Sequence, residues 1–358
     1  MAQNQEIAYE TTFLLGKVAL HNRTDATLVQ WISYGSQAVE GVLVILGNAV
    51  LIAVVMANKR LRRKEMVLMT GLAVGDLLYG IGFFFAGIRR MILAGNGQHM
   101  WKVTPWHCMT ALQTSFFVAG SQAAGLMMVA ISVDRFIALK APFYYMTLGT
   151  RYAVSILFLV FGWSLFTIPL AFFLSAMWAE KAPSVPALCL STHVGPAWLR
   201  SYQPAMQLSM GTMSVLIYCA TWHYYRLHVA RRRLQQQAST STVSRNGIRY
   251  RNMNRQRRIT KIVGVTVLFT LFTYVIPHTI ILLMANSASA SVVRLSPLGW
   301  VVANLNSVVN VVILAFLNGE FRGVLASWFY RCRKAPIGPV THGGGGQPIY
   351  RINVTPAQ

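Results

Sequence analysis

Seven long stretches of this chain carry almost no charged side chains, and this pattern limits what the chain can fold into. Residues 103–133, for example, contain no Lys, Arg, Asp or Glu. At about 1.5 Å per helical residue, a stretch of that length can cross the roughly 30 Å hydrocarbon core of a bilayer. Each stretch is therefore a candidate membrane-spanning helix. The seven are 41–58, 66–88 (with Asp76 as its only charge), 103–133, 152–179, 201–225, 262–293 and 295–319.

The composition agrees with a membrane protein. Hydrophobic residues make up 54% of the chain and charged residues only 11%, whereas soluble domains carry about 25% charged residues. A bilayer accepts only helices or closed barrels, and none of the stretches shows the alternation of a barrel strand. The sequence therefore predicts an all-α membrane protein, built as a bundle of seven transmembrane helices.

Most basic residues fall in alternate segments between the spans. If the N-terminus lies outside, 24 of the 32 Lys and Arg residues lie in inner segments and eight in outer segments. This distribution follows the positive-inside rule, and basic inner segments attract anionic lipid. A nucleic-acid-binding chain would not confine its charge to alternate segments. We therefore expect a multi-pass plasma-membrane protein with its N-terminus outside, in contact with lipid and not with nucleic acid.

The spans divide the chain into three parts. Residues 1–35 are predicted to form an extracellular tail, residues 36–330 the membrane domain, and residues 331–358 a disordered cytoplasmic tail. No cleavable signal peptide is apparent, so the first span would act as the targeting signal. Asn22 begins an Asn-Arg-Thr acceptor for N-glycosylation in the outer tail. Cys332 lies among basic residues beyond the last span, which is typical of a palmitoylation site.

Apolar residues with helical spacing follow the seventh span. Basic residues accompany them, as in helices that lie on a membrane surface. The sequence therefore predicts a short amphipathic helix on the inner membrane surface. The alternative, a helix packed on a soluble core, would need a soluble domain that the sequence does not indicate. The apolar positions are Phe321, Val324, Leu325, Trp328 and Phe329.

Two of the four cysteines fall on the predicted outer side. Cys108 lies at the outer start of the third span and Cys189 in the loop between the fourth and fifth spans. Both face an oxidising compartment, so we expect a disulfide that ties this loop to the third helix. Cys219, inside the fifth span, is expected to be a buried free thiol.

Asp76 is the only acidic residue inside a predicted span. An ionised carboxylate in mid-membrane costs several kcal/mol unless neighbours or an ion compensate it. Polar residues of the first and seventh spans can surround it, and two of them, Asn306 and Asn310, share a helical face. A purely structural network between helices is the alternative interpretation. The resulting Asp76 cluster comprises Asn48, Asp76, Asn306, Ser307 and Asn310.

Asp134 and Arg135 stand side by side at the end of the charge-free stretch 103–133. An adjacent acid and base at the end of a buried helix is costly unless the pair has a task. The alternative is an ordinary pair of interfacial charges that marks where the helix leaves the lipid.

Taken together, these residues resemble the rhodopsin-like class of G-protein-coupled receptors over about residues 36–330. Each motif is short, but their order and spacing on successive spans make the set specific. The motifs are Gly47-Asn48, Leu72-Ala73-Val74-Gly75-Asp76, Cys108, Asp134-Arg135-Phe136, Trp163, Tyr218, Pro277, Asn306-Ser307, Asn310, Ala315-Phe316-Leu317-Asn318 and Glu320-Phe321-Arg322.

The resemblance implies a switch at the inner side of the bundle. Arg135 would pair with Asp134 at rest and contact a heterotrimeric G protein when helix six moves outward. Tyr218 would stabilise the active arrangement, Pro277 would kink helix six, and Asn310 of span seven would also belong to the switch. The Asp76 cluster would form the polar core that can hold a sodium ion in resting receptors, with no other cofactor expected.

The chain departs from the family pattern at several positions. Val275 replaces the tryptophan usual two residues before the proline of span six, and the Asn-Pro-x-x-Tyr of span seven lacks its proline and tyrosine after Asn310. Arg257 stands at the start of helix six, where many members carry an acid that restrains the arginine of span three. Like charges repel, so we expect a weakly held resting state. Such departures suggest a divergent branch, with an invertebrate chemosensory type as one interpretation.

Polar and aromatic residues in the outer halves of three spans are candidates for a ligand pocket between the helices. The outer half of helix three has no acidic residue that could pair with a ligand amine. This argues against an aminergic ligand and favours a peptide or another small molecule. The alternative is that these groups only bond the helices together, and His278 is expected to be structural rather than a metal ligand. The candidates are Gln113, Phe117, Ser121, Gln203, Gln207, Tyr274 and His278.

Two other classes of protein fit the sequence less well. A transporter or channel would show repeated halves and more intramembrane charge, and neither is found. An enzyme would need a nucleophile motif, a metal cluster or a second intramembrane acid. The sequence thus predicts a receptor that passes an extracellular signal to a G protein and has no enzymatic activity.

Overall fold

A computed structural model describes residues 27–178, 183–189, 197–238, 265, 268–285, 302, 305–313, 316 and 319–334. We number the long helices and the segments that continue them in chain order. They are α1 (Leu28–Ala57), α2 (Lys64–Gly95), α3 (Leu112–Lys140), α4 (Thr150–Trp178), α5 (Ala197–Ala238), α6 (Ile276–Ala285), α7 (305–313) and α8 (Gly319–Lys334).

Short elements connect these helices. A 3-10 turn at Lys59–Leu61 links α1 to α2, a helix at Pro105–Met109 precedes α3, and a helix at Pro142–Thr147 follows it. Strands β1 (Lys102–Val103) and β2 (Val185–Pro186) pair antiparallel, with Val103 opposite Val185. This two-stranded sheet lies next to the disulfide between Cys108 and Cys189, which confirms that prediction. We call this end of the bundle the disulfide end and the opposite one the Arg135 end.

Four helices among the described residues are long and apolar enough to cross a membrane. They are α1 to α4, with mean hydropathies between 1.7 and 2.4. The described parts of the other three charge-free stretches are also helical. The helical prediction therefore agrees with the structure wherever the structure describes these stretches.

The helices α1, α2 and α3 pack with very short distances between their backbones. A Cβ added at Gly41 on α1 would lie 2.6 Å from the backbone nitrogen of Phe84 on α2. A Cβ added at Gly120 on α3 would lie 2.4 Å from the backbone nitrogen of Tyr79 on α2. Glycine is needed at such crossings because it lets two helix backbones approach closely. As a result α2 lies between α1 and α3, and its Asp76 faces the interior of the bundle.

The first helix begins earlier than the charge-free stretch that predicts it. Thr27 caps α1, its side chain bonding the backbone of Gln30 while the Gln30 side chain bonds the backbone of Thr27. This capping box starts the helix at Leu28, so that Glu40 lies within the apolar helix. The expectation that Asp76 is the only acid in a span was therefore wrong.

The last helix lies against the start of the bundle. Phe321 of α8 is buried in a cluster with Val54 and Val55 of α1, and Val324 and Leu325 pack against the same cluster. Arg322, next to Phe321, is exposed. These residues are thus helical, and part of their apolar stripe contacts α1. A position of this helix on the inner membrane surface stays a prediction.

The expectation of a buried thiol on α5 was wrong, because Cys219 is free and exposed.

Candidate functional site

The acid and base at the end of α3 form a close ion pair. Nη2 of Arg135 lies 2.5 Å from Oδ2 of Asp134, whose side chain is completely buried. A third group completes this arrangement. The hydroxyl of Tyr145 lies 3.1 Å from the same Asp134 oxygen and accepts a bond of 3.2 Å from Arg135. The pair is therefore not a solvated interfacial charge, because it belongs to a buried network of three side chains.

Tyr145 is positioned by the short helix that follows α3. Pro142 stands at the start of this helix, where its missing N–H costs nothing. Lys64, at the start of α2, places its ammonium 3.4 Å from the centre of the Tyr145 ring, and also donates to the carbonyls of Tyr145 and Leu148. The ring is thus held by a cation–π contact and by hydrogen bonds to its own backbone segment.

The Tyr145 hydroxyl acts as a donor in this network. Burial raises the pKa of Tyr145 above its ordinary value, although the nearby Arg135 opposes the shift. The phenol therefore stays protonated and has one hydrogen to donate. Asp134 is the nearer carboxylate, at 3.1 Å, whereas Glu65 on α2 lies 3.4 Å away. We assign the hydrogen to Asp134, which leaves the phenol oxygen free to accept from Arg135.

Sequence reasoning missed Lys64, Glu65 and Tyr145. Tyr145 lies eleven residues beyond Asp134, and no local pattern indicates that the chain turns back to bring the two together. Arg257, which we expected to leave Arg135 weakly held, lies outside the described residues. The structure provides a restraint at a different place, on the short helix rather than on helix six.

The Asp76 cluster is only partly assembled around the carboxyl group. The hydroxyl of Ser307 on α7 donates to Oδ1 of Asp76 over 2.8 Å in a buried position. Oδ2 of Asp76 and Oδ1 of Asn310 are buried and have no hydrogen-bond partner. These oxygens are of the type that binds hard cations. The residues present therefore fit a sodium ion held by Asp76, Ser307 and Asn310.

The other two members of the cluster use their amides elsewhere. Asn48 donates to the carbonyl of Val44 in its own helix over 2.9 Å. Asn306 accepts a bond of 3.0 Å from the Thr270 hydroxyl and so joins α7 to the segment before α6. The structure thus brings Ser307 and Asn310 to Asp76 but gives Asn48 and Asn306 structural bonds.

The segment around Pro277 departs from α-helical geometry. A π-helical turn at Leu271–Val275 precedes α6, and the N–H of Ile276 bonds the carbonyl of Leu271. Proline removes a backbone donor and forces the turn before it to readjust. The hydroxyl of Thr279 bonds the carbonyl of Val275 over 2.8 Å and so supplies a donor to this turn. Tyr218 on α5, which was predicted to stabilise the active arrangement, is buried.

Four of the pocket candidates bond between helices. Nδ1 of His278 lies 2.8 Å from the carbonyl of Tyr274, and its Nε2 lies 3.1 Å from the amide of Gln207 on α5. The Gln207 atom that faces Nε2 is Oε1. A carbonyl only accepts, so Nδ1 carries the hydrogen, and a neutral ring then requires the Gln207 amide to be turned so that its NH₂ group faces Nε2. Gln203 on α5 donates to the Ser121 hydroxyl on α3 over 3.4 Å. His278 thus has two protein partners, as expected of a structural histidine.

The remaining candidates on α3 lie nearer α2. Phe117 packs edge-on against Tyr79 and Phe83, with ring centroids 5.3 and 5.7 Å away. Gln113, one turn towards the disulfide end, is buried, and its amide nitrogen has no partner. Gln113 is therefore the one α3 candidate with a buried, unpaired donor among the described residues.

Sequence reasoning also missed polar residues at the disulfide end. Arg90 on α2 is only 4% exposed, and it donates to Oε1 of Gln37 on α1 and to the carbonyl of Leu188. Glu40 on α1 is 5% exposed, and neither of its oxygens has a hydrogen-bond partner. Counting charge-free stretches placed Arg90 in a loop and Glu40 before the first span, so their burial was not predicted.

Two predicted modification sites have no structural description. Asn22 and the side chain of Cys332 lie outside the described residues.

Trp163 on α4 is described and is 48% exposed beside Phe166, on the outer surface of the bundle.

Comparison with protein-family models gives one match. Residues 47–313 match the family described as 7 transmembrane receptor (rhodopsin family). The matched range includes the Asp76 cluster, the disulfide and the network of Asp134, Arg135 and Tyr145. No curated protein matches the chain.

Proposed function

Because the chain belongs to the rhodopsin family of seven-transmembrane receptors, we propose that it carries an extracellular signal to a heterotrimeric G protein through Arg135. The observation that supports this most directly is the buried ion pair of Arg135 with Asp134 beneath Tyr145. A guanidinium held at the end of a bundle by breakable partners can be exposed by a conformational change. It can then bind backbone carbonyls or a carboxylate of a partner protein.

The resting state corresponds to the geometry of the structure. Arg135 has both an ionic partner and a phenol partner, and Tyr145 is in turn held by Lys64 of α2. Release of Arg135 therefore requires its bonds to Asp134 and Tyr145 to break. We propose that an outward movement of helix six accompanies this release. The segment before α6 is suited to such a movement, because its π-helical turn is less regular than an α-helix.

The orientation and the ligand follow from the same proposal. The disulfide end faces the outside, the Arg135 end faces the cytoplasm, and the N-terminus is extracellular in the plasma membrane. A ligand would enter at the disulfide end near Gln113 and Phe117. The ligand would alter the packing of α5 and α6 through polar contacts between helices, which are made by Gln203, Gln207 and His278.

A sodium ion at Asp76 would stabilise the resting arrangement. When bound, it would supply a positive charge that compensates the buried carboxylate. The residues that would hold it are Asp76, Ser307 and Asn310, which come from α2 and α7. A cation between two helices opposes any rearrangement that separates them.

The test of the proposal is receptor-dependent nucleotide exchange. Membranes containing the full chain should accelerate GTP binding by at least one purified G-protein class above mock membranes. Arg135→Ala should remove this acceleration at equal receptor abundance, because the residue that contacts the G protein is lost. Exchange that never exceeds mock for any class, or substrate flux that persists in Arg135→Ala, would contradict the proposal.

A further inference from the structure

Arg90 is a buried cation without a counter-charge. Its guanidinium is only 4% exposed, and its two partners, the Gln37 amide oxygen at 2.6 Å and the Leu188 carbonyl at 3.3 Å, are both neutral. No acid among the described residues forms an ion pair with it. A buried guanidinium paired only with neutral groups carries a desolvation cost of several kcal/mol.

The nearest buried acid of α1 does not compensate Arg90. Glu40 lies seven residues, or about two helical turns, before Gly47, so the two share a stripe of α1. A Cβ added at Gly47 would meet the side chain of Val311 on α7 at 3.6 Å. This stripe borders α7. Glu40 is also one turn from Gln37, which contacts Arg90, but no ion pair joins Glu40 to Arg90 among the described residues, and neither Glu40 oxygen has a hydrogen-bond partner.

Unpaired buried nitrogens at the disulfide end are hydrogen-bond donors. Nε2 of Gln37, Nη1 of Arg89 and Nε2 of Gln113 are buried and have no partner. Gln37 already uses its oxygen to accept from Arg90, so its NH₂ group is available beside the same guanidinium. A cation with a free NH₂ group beside it, as Arg90 has in Gln37, is the complement of an anion and not of an amine.

The disulfide joins the segments that carry these donors. Leu188, which accepts from Arg90, precedes Cys189 of the disulfide, and the partner Cys108 accepts a bond from Thr114, the neighbour of Gln113. One turn from Gln113 along α3, Phe117 contacts Phe83 of α2. Arg90 thus links α1 and α2 to the disulfide segment, and the disulfide ties that segment to the start of α3.

We propose that Arg90 and the amides of Gln37 and Gln113 bind the anionic group of an extracellular ligand, a carboxylate, sulfate or phosphate. The inference rests on the proposed receptor function and specifies the class of ligand. Arg90 anchors the anion by charge, while the two amides donate to it. The apolar remainder of the ligand lies against Phe83 and Phe117. The competing explanation is that Arg90 only fastens Leu188 to α1.

The experiment measures thermal unfolding of the purified full chain in nanodiscs of zwitterionic lipid. The probes are hexanoate, hexyl sulfate and hexyl phosphate, each compared with methyl hexanoate, hexanamide and hexylamine. At least one anion should raise the Tm of the wild type in a saturable way, and the neutral and cationic probes should not. Arg90→Gln should weaken the apparent affinity at least tenfold. Lys102→Gln, which removes an exposed cation at the same end, should leave it unchanged.

A second pair of variants covers the case in which Arg90→Gln does not fold. Arg90→Lys keeps the charge but loses the forked geometry, so it should retain a weakened anion effect. Gln113→Leu removes an unpaired amide nitrogen and should fold normally while it weakens anion binding severalfold. The proposal is overturned if no anion stabilises the wild type, if only hexylamine does, if Arg90→Gln folds and binds the anion normally, or if Gln113→Leu binds it normally.

Failure of this proposal is distinguishable from failure of the proposed function. Nucleotide exchange measured in the same nanodiscs reports on G-protein coupling without any ligand. If basal exchange depends on Arg135 but no anion stabilises the chain, only the proposed anion site is contradicted. If anion binding depends on Arg90 but no nucleotide exchange is seen, only the proposed G-protein coupling is contradicted.

Discussion

At the scale of single residues, the hydroxyl of Tyr145 is the most testable restraint on Arg135. Tyr145→Phe keeps the ring under Lys64 but removes the bonds to Asp134 and Arg135. Hydrogen bonds to charged groups contribute about 1.5–3 kcal/mol, so we expect the balance of resting and active states to shift about tenfold or more. Basal nucleotide exchange should rise accordingly.

The neighbouring tyrosine supplies the control. Tyr144 lies on the same short helix, and its side chain is 61% exposed, so Tyr144→Phe should leave basal exchange at the wild-type level. Equal rates in both variants and the wild type would mean that Tyr145 does not restrain Arg135.

A second residue-scale prediction concerns Asp76 and sodium. Replacing sodium chloride with choline chloride should raise basal exchange of the wild type, because a cation at Asp76 would favour the resting state. Asp76→Asn removes the charge that would hold the ion, so its basal exchange should not respond to the replacement. Ser132→Ala, at a hydroxyl whose bonds are to Ser214 and the Met128 carbonyl and not to Asp76, should respond as the wild type does. A sodium response that survives in Asp76→Asn would exclude this site.

At the scale of single elements, Pro277 and the π-helical turn before it form one unit. Pro277→Ala restores a backbone donor and lets the turn relax into an α-helix, a change that removes a penalty of about 3 kcal/mol in a helix interior. We expect a straighter, more stable segment, a higher Tm and lower basal exchange. Pro169→Ala on α4 is the matched control, since Pro169 also stands inside a helix but is exposed. A Pro277→Ala variant that signals as the wild type does would argue against a role for the turn.

The same scale shows what the sequence could and could not predict. The position of Asp134 and Arg135 near the end of α3 could be predicted, because the length of a stretch without charged residues determines where a helix can leave the lipid. The start of α1 was misjudged because the search stopped at Glu40, although Thr27 and Gln30 form a capping-box pattern that the sequence displays. The contact of Tyr145 with Asp134 could not be predicted, because it depends on how a whole short helix packs against α2.

At the scale of the whole molecule, the bundle depends on close backbone contact between α2 and its neighbours. Gly120 on α3 is the tightest of these positions. An added Cβ would lie 2.4 Å from the backbone nitrogen of Tyr79, which cannot change rotamer as a side chain can. Gly120→Ala must therefore push α3 away from α2, and with it Phe117, Gln113 and the whole disulfide end. Overpacking of this kind costs about 1–3 kcal/mol, so we expect a Tm several degrees lower and reduced surface expression.

Gly162→Ala isolates the packing effect from the change in helix propensity. Gly162 also lies inside a long helix, but nothing approaches an added Cβ within 4 Å. There the substitution should be neutral or stabilise by up to about 1 kcal/mol, because alanine favours the helix over glycine. The two variants, compared by thermal unfolding of the purified chain, should thus change Tm in opposite directions. If both raised it, α2 and α3 would have to lie further apart than in this structure, and the contact of Phe117 with Phe83 that supports the proposed anion site would lose its basis.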